Sequence, residues 1–400
     1  MSLLTIEEPA IAKQSAFWRA DHPLWRLGFR PFYLLAAGFS ALAVPLWIAR
    51  YFGYLPAWQH VGLNWHMHEM VFGMVLAVVI GFLYTAGKNW TGLWTPRTTH
   101  LAALAALWIA GRVAMLIAPP IFAAPIDLLF LPLAAWPMYR VLKLSGNKRN
   151  LFLIGLLAML TAANIVFHLS TLGWIDTPTT SPIQAAILVI VVIESVIGAR
   201  VIPMFTSNGA PGTKPIVNSR RDTIALGLTV AAGVAWIFRV PAPMAAALAF
   251  AAACAVLVRV AGWKPQRTIR VPLLWILHLS YGWIAIGFFL LALAALNIVA
   301  PSAAFHALTV GSMAGLIMGM ITRTALGHTG RVLKVGYPEI AMYALIQLGA
   351  LARVCAGIGA ADLRDPLLIV AAVCWSIAFL LYVIVYGPYL VKPRIDGKEG

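Results

Sequence analysis

The sequence predicts an all-α integral membrane fold of twelve transmembrane helices with both termini cytoplasmic. Three observations carry this expectation. Hydrophobic residues make up 62% of the chain and charged residues 10%, whereas soluble domains are about a quarter charged. Apolar runs near the roughly 20 residues that cross a bilayer recur along the whole chain. Basic residues gather in alternate loops, the bias that sets orientation. Most of the +16 net charge is that bias, so it is no sign of nucleic-acid binding.

Residues 1–30 are polar, carry both charge signs and lack the apolar core of a signal peptide. They are expected to form a cytoplasmic segment, followed by a single membrane domain over 31–390 and a cytoplasmic tail over 391–400. The expected spans are roughly 31–52, 64–86, 98–118, 121–141, 151–173, 182–204, 222–240, 243–261, 272–298, 303–324, 337–358 and 366–390. Ala118-Pro119-Pro120 makes the third and fourth a tight hairpin. Arg140, Lys143, Lys148 and Arg149 follow the fourth span. Lys214, Arg220 and Arg221 follow the sixth, and Lys264, Arg267 and Arg270 the eighth. The opposite loops hold only Arg364, with Arg50 at a margin. Cys254, Cys355 and Cys374 all fall within spans and form no paired framework, which reads as apolar packing.

Residues 66–92 lie over 304–330 without a gap. His68 falls on His306, Gly73 on Gly311, Gly81 on Gly319, Thr91 on Thr329 and Gly92 on Gly330. The sixth span gives a weaker third copy through Gly198 and Gly209. Arg-Val recurs at 112–113, 239–240 and 353–354 near the outer ends of the third, seventh and eleventh spans. Together these predict three four-helix pseudo-repeats, about 31–141, 151–261 and 272–390. The small-residue stripe Gly73, Ala77, Gly81, matched by Gly311, Gly315, Gly319, lets helices approach closely in lipid and also leaves room for a flat ligand.

Span order assigns each histidine a depth. His66, His68, His168 and His306 share one level near the outer surface. Imidazole is the commonest metal ligand, and ionisable side chains inside spans are costly and often functional. Four at one level are therefore candidate cofactor or metal ligands, against the plainer reading of hydrogen-bonded core residues. Residues two apart on a helix point about 200° apart, so His66 and His68 are not expected to share one metal. Glu69 lies at i, i+3 from His66, on one face with it. Asn164 stands one turn before His168.

Arg112, Arg239 and Arg353 share the outer level as candidate carboxylate binders, with Asp127 facing that level. The competing reading is that they snorkel or that Arg112 pairs with Asp127. Glu194, inside the sixth span, is a candidate for a proton path or catalytic centre, as is Glu69. Methionines such as Met67 and Met70 suit copper(I) but equally suit a membrane core.

The segments LGFRPFYLLA at 27–36, WHMHEMVFG at 65–73, NWTG at 89–92, ARVIPMFTSN at 199–208 and GHTGR at 327–331 resemble the NnrS family. The similarity extends across essentially the whole chain. It implies a bacterial inner-membrane protein containing haem and copper, associated with the nitric oxide response and with resistance to nitrosative stress. A fainter likeness links the chain to the main subunit of haem–copper oxidases, which also has twelve spans in three repeats. That subunit takes haem ligands from the second and tenth spans and copper-binding histidines from the sixth and seventh. Here neither the sixth nor the seventh span has a histidine.

The resemblance leads to the expectation of a haem b protein that binds and reduces nitric oxide. His68 and His306 are the expected haem ligands, and His66 and His168 serve a second haem or copper. Glu69 and Glu194 handle protons, and electrons come from quinol or a periplasmic carrier. A secondary transporter is one rival reading. A nitric oxide sensor or metal-handling protein without turnover is another.

Overall fold

In the computed structural model, which describes residue 16 and residues 19–399, the chain is all helical with no strand among the described residues. Part of the segment expected over 1–30 lies outside the described residues. Twelve rods follow one another: α1 (Phe29–Tyr51), α2 (Leu63–Thr91), α3 (Thr98–Ile117), α4 (Pro120–Leu144), α5 (Phe152–Thr171), α6 (Thr180–Gly209), α7 (Ser219–Ile237), α8 (Ala242–Gly262), α9 (Pro272–Ala295), α10 (Pro301–His328), α11 (Tyr337–Ile358) and α12 (Ala361–Leu390). Eleven are long and apolar enough to cross a membrane. The twelfth, α7, is not among them, because its first turn carries Arg220, Arg221 and Asp222.

Local chemistry sets the helix ends. Proline at N1 opens α4, α9 and α10, where its missing N–H costs nothing. Glu339 accepts a 2.8 Å hydrogen bond from the Gly336 N–H at the start of α11, satisfying one of the donors that a helix start leaves free. Gly92 follows α2 at φ +71°, and Gly330 follows α10 at φ +79°, the left-handed ending that glycine favours. Just before each, Thr91 and Thr329 donate to the carbonyls four residues back, of Gly87 and Ala325.

The most enclosed helices are α2, α9 and α10, with 83%, 72% and 78% of their apolar windows buried, against 33–61% for the others that qualify as spans. α6 packs on both α2 and α10, and α1 packs on α2, α10 and α12. Two of the central helices contain a π-helical stretch, Glu69–Val75 in α2 and Ala307–Ala314 in α10. These occupy the positions that the sequence alignment superposes. α6 has no such stretch. π-turns interrupt an α-helix at an energetic cost and concentrate at functional sites.

The start of α1, the end of α10 and the segment after α12 interlock at one end of the bundle. Arg30, fully buried, donates to the carbonyls of Leu390 (2.7 Å) and Lys392 (2.8 Å) beyond the last turn of α12. Arg394 donates to the His328 carbonyl at 3.1 Å, and the Arg331 guanidinium lies 3.8 Å from the Tyr389 ring centre.

Small residues in α10 are required by close approach. A Cβ on Gly311 would overlap the Trp283 ring of α9, whereas one on Gly227 of α7 meets open space. Gly311→Ala is expected to destabilise the purified protein by about 1–3 kcal/mol through overpacking. Gly227→Ala is expected to be neutral or stabilising by up to ~1 kcal/mol. Thermal unfolding of the two variants in one detergent checks this, and equal melting temperatures would contradict it.

Candidate cofactor and metal sites

The first turn of α2 decides where its two histidines go. Leu63–His68 is regular α-helix, so His66 and His68 point to different sides. His66 faces a cavity of about 590 Å³ bounded by α1, α2, α6, α10, α11 and α12. His68 is fully buried and points to α4 and α5 instead.

The histidine that shares the cavity with His66 is His306, from the start of α10. Its Nδ1 donates to the Ser302 carbonyl at 2.7 Å, which fixes the tautomer that leaves Nε2 with its lone pair. His66 stacks on Trp47, with ring centres 5.3 Å apart and planes 12° apart, and its buried Nδ1 has no hydrogen-bond partner. Arg353 and Arg364 also line this space, and Arg353 donates to Ser302 Oγ at 3.2 Å. The remaining wall is mainly apolar and includes Met67, Met70 and Phe305. Its size falls in the range of cofactor pockets, roughly 300–1,000 Å³.

Behind α2 lies a buried polar cluster. His68 Nδ1 is 2.9 Å from Glu69 Oε1, and its Nε2 is 3.1 Å from Asp127 Oδ2 and 3.0 Å from Asn164 Oδ1. Asp127 Oδ2 also lies 3.0 Å from His168 Nε2 and accepts from Asn164 Nδ2 at 2.8 Å. Arg112 donates to Glu69 Oε1 at 2.7 Å and to Asp127 Oδ1. Gly73 makes room for this guanidinium: a Cβ there would lie 2.8 Å from Arg112 Nη1. One donor atom each from His68, Asp127 and His168 lies within 4.8 Å of the others, a grouping able to hold a metal ion. Two carboxylates against one guanidinium leave one negative charge for a proton or a cation to neutralise.

The residues singled out from sequence are thus divided. His66, His306 and Arg353 meet at the cavity, while His68, Glu69, Arg112 and His168 meet in the cluster. His68 and His306, expected as a pair, lie in different environments. Glu69 turns to His68 and Arg112 rather than to His66. Arg239 is exposed beyond the end of α7, at φ +50°, and lines neither place. Glu194 accepts a 2.8 Å hydrogen bond from Ser312 in the π-helical stretch of α10. Sequence reasoning passed over Arg364 and Trp47. Arg364 had a signal, as one of the few basic residues on the side opposite the basic loops, whereas Trp47 had none.

A sequence profile of the NnrS protein family matches residues 23–394. The chain belongs to the NnrS family. No curated protein matches it. The matched region contains every residue of the cavity and of the cluster. Both places fit the groups that the family likeness implies. The cavity offers two imidazoles with unclaimed nitrogens, a large apolar space and two guanidiniums suited to carboxylates. The cluster offers a nitrogen–oxygen donor set with an orienting carboxylate on His68, the arrangement usual behind a metal-binding histidine.

Arg112→Met strands Glu69 and Asp127 in the interior without a cation. It is expected to cost about 3–5 kcal/mol, the penalty of breaking a buried pair from one side. Asp127→Asn added to Arg112→Met should recover part of that loss. Melting temperatures of the single and double variants check the coupling. An additive double variant would mean that the two residues do not depend on each other.

Proposed function

We propose that this protein is a haem b protein of the nitric oxide response that binds nitric oxide and reduces it, with a second metal in the buried cluster. Membership of the NnrS family supports this reading. The observation that carries it is the convergence of His66 and His306, from helices far apart in the chain, on one cavity with Arg353 and Arg364.

Haem in that cavity would supply iron that takes up nitric oxide and transfers electrons to it. The rest is the work of the chain. One of the two imidazoles, His66 or His306, would hold the iron, and the other would face the nitric oxide that it takes up. The Ser302 carbonyl keeps the His306 ring in the tautomer needed, and Trp47 holds the plane of His66. Arg353 and Arg364 would bind the two propionates by paired hydrogen bonds. The apolar walls exclude water. Reduction of nitric oxide consumes protons, and Glu194, hydrogen-bonded to Ser312 on α10, would hold one between α6 and α10. His68, Asp127 and His168, oriented by Glu69 and Asn164, would hold copper. Their donors suit a nitrogen- and oxygen-loving dication rather than a thioether site.

The basic loops support an inner-membrane orientation with both termini cytoplasmic. The matching π-helical stretches and glycine endings of α2 and α10 support a repeated architecture. Electrons would come from quinol or a periplasmic carrier.

Purified protein from haem-sufficient cells is expected to show a Soret band. His66→Ala and His306→Ala should each abolish it or change its spin state. His68→Ala should keep it while lowering bound metal. Glu194→Gln should slow anaerobic nitric oxide consumption by roughly a hundredfold, the lower range for a lost acid–base group. An unaltered spectrum in both cavity variants would sink the haem assignment. A haem-loaded protein that binds nitric oxide without consuming it would be a sensor instead.

A further inference from the structure

A second cavity, of about 700 Å³, opens between α6, α7 and α8 on the face that carries the basic loops. It shares no lining residue with the histidine cavity. Four cations line it: Arg149 before α5, Arg200 on α6, Lys214 after α6 and Arg259 on α8. One carboxylate, Asp222, joins them.

Arg259 claims that carboxylate. Its Nε lies 3.2 Å from Asp222 Oδ1, and its guanidinium also donates to the Asp222 carbonyl and, at 2.6 Å, to the Tyr281 hydroxyl. The other three cations form no ion pair among the described residues. Arg149 and Lys214 are exposed. Arg200 is positioned by a neutral group, Asn150 Oδ1 at 2.8 Å, which leaves its charge unanswered. Like charges gathered around one concavity repel each other until an anion enters. Arginine and lysine in such a setting match phosphate oxygens.

The wall between these cations is apolar, formed by residues such as Val196, Ala199, Met204 and Leu226. A free anion gains nothing from such a wall, but an acyl chain does. Basic pockets between membrane helices take anionic headgroups for this reason. Topology alone accounts for basic residues on this face. It does not account for three of them surrounding one open concavity with an apolar wall.

We propose that this cavity binds the phosphate headgroup of an anionic phospholipid, with Arg149, Arg200 and Lys214 as its ligands and the α6–α7 wall against its chains. The site lies outside the nitric oxide chemistry and stands or falls separately from it.

The test uses the full-length protein in detergent, titrated with phosphatidylglycerol or phosphatidylcholine and read by native mass spectrometry. The wild type should retain phosphatidylglycerol in preference to phosphatidylcholine. The triple variant Arg149→Gln, Arg200→Gln, Lys214→Gln should bind it about a hundredfold more weakly, the scale expected for three basic side chains near an anionic surface. The double variant Arg149→Gln, Lys214→Gln changes only exposed side chains and should keep the wild-type melting temperature while losing about tenfold or more. A control triple on the same face, Arg220→Gln, Lys264→Gln, Arg270→Gln, should bind as the wild type does. Inorganic phosphate at millimolar concentration forms the second arm. If it binds and displaces phosphatidylglycerol, the ligand is soluble phosphate and the lipid assignment is overturned. Equal binding by the double variant and the wild type, or equal losses in the control, would overturn the site itself.

Discussion

A charge inside a bilayer must be answered by another charge or by a hydrogen bond, and the interior of this protein is arranged around that requirement. Asp127 brings α4 into contact with α2, α3 and α5 at once, through His68, Arg112, Asn164 and His168. Glu69 anchors the same guanidinium from α2. The geometry of these four helices rests on two carboxylates and one arginine. Because His68 is committed there, the rotation of α2 about its own axis is set, and His66 is turned outward to the cavity. The polar cluster thus does more than hold the bundle together, since it aims the imidazole that faces the proposed haem.

Much of this was legible in the chain. Spans follow from apolar length, and all twelve expected segments are helices, with α7 set apart by three charges in its first turn. The shared level of His66, His68, His168 and His306 followed from span order, as did the neighbourhood of Arg112 and Asp127. Which histidines face each other was not legible. Depth is a coordinate along the membrane normal, whereas partnership depends on the angle around each helix. That angle is fixed by tertiary contacts and is shifted by the π-helical stretches that begin immediately after His68 and His306. Glu69 shows the same limit. Helical spacing favoured His66 as its neighbour, but a guanidinium from α3 offered a stronger partner.

The correspondence of α2 and α10 now extends beyond letters. Both change to π-helical hydrogen bonding just past the aligned histidines, and both end on a threonine back-bond and a left-handed glycine. Such details are invisible to hydrophobic patterning, because a π-turn leaves composition unchanged. They show that positions matched in sequence are matched in backbone conformation. Yet the two helices present different faces: His306 looks into the cavity and His68 looks away from it.

The buried Arg30 joins the beginning of the chain to its end. Its guanidinium satisfies carbonyls that exist only after α12 has been made. During synthesis, therefore, the first helix is made well before the Leu390 and Lys392 carbonyls that its arginine engages. Until they emerge, those two hydrogen bonds cannot form. The contact between the first and last helices is consequently among the last that the growing chain can make.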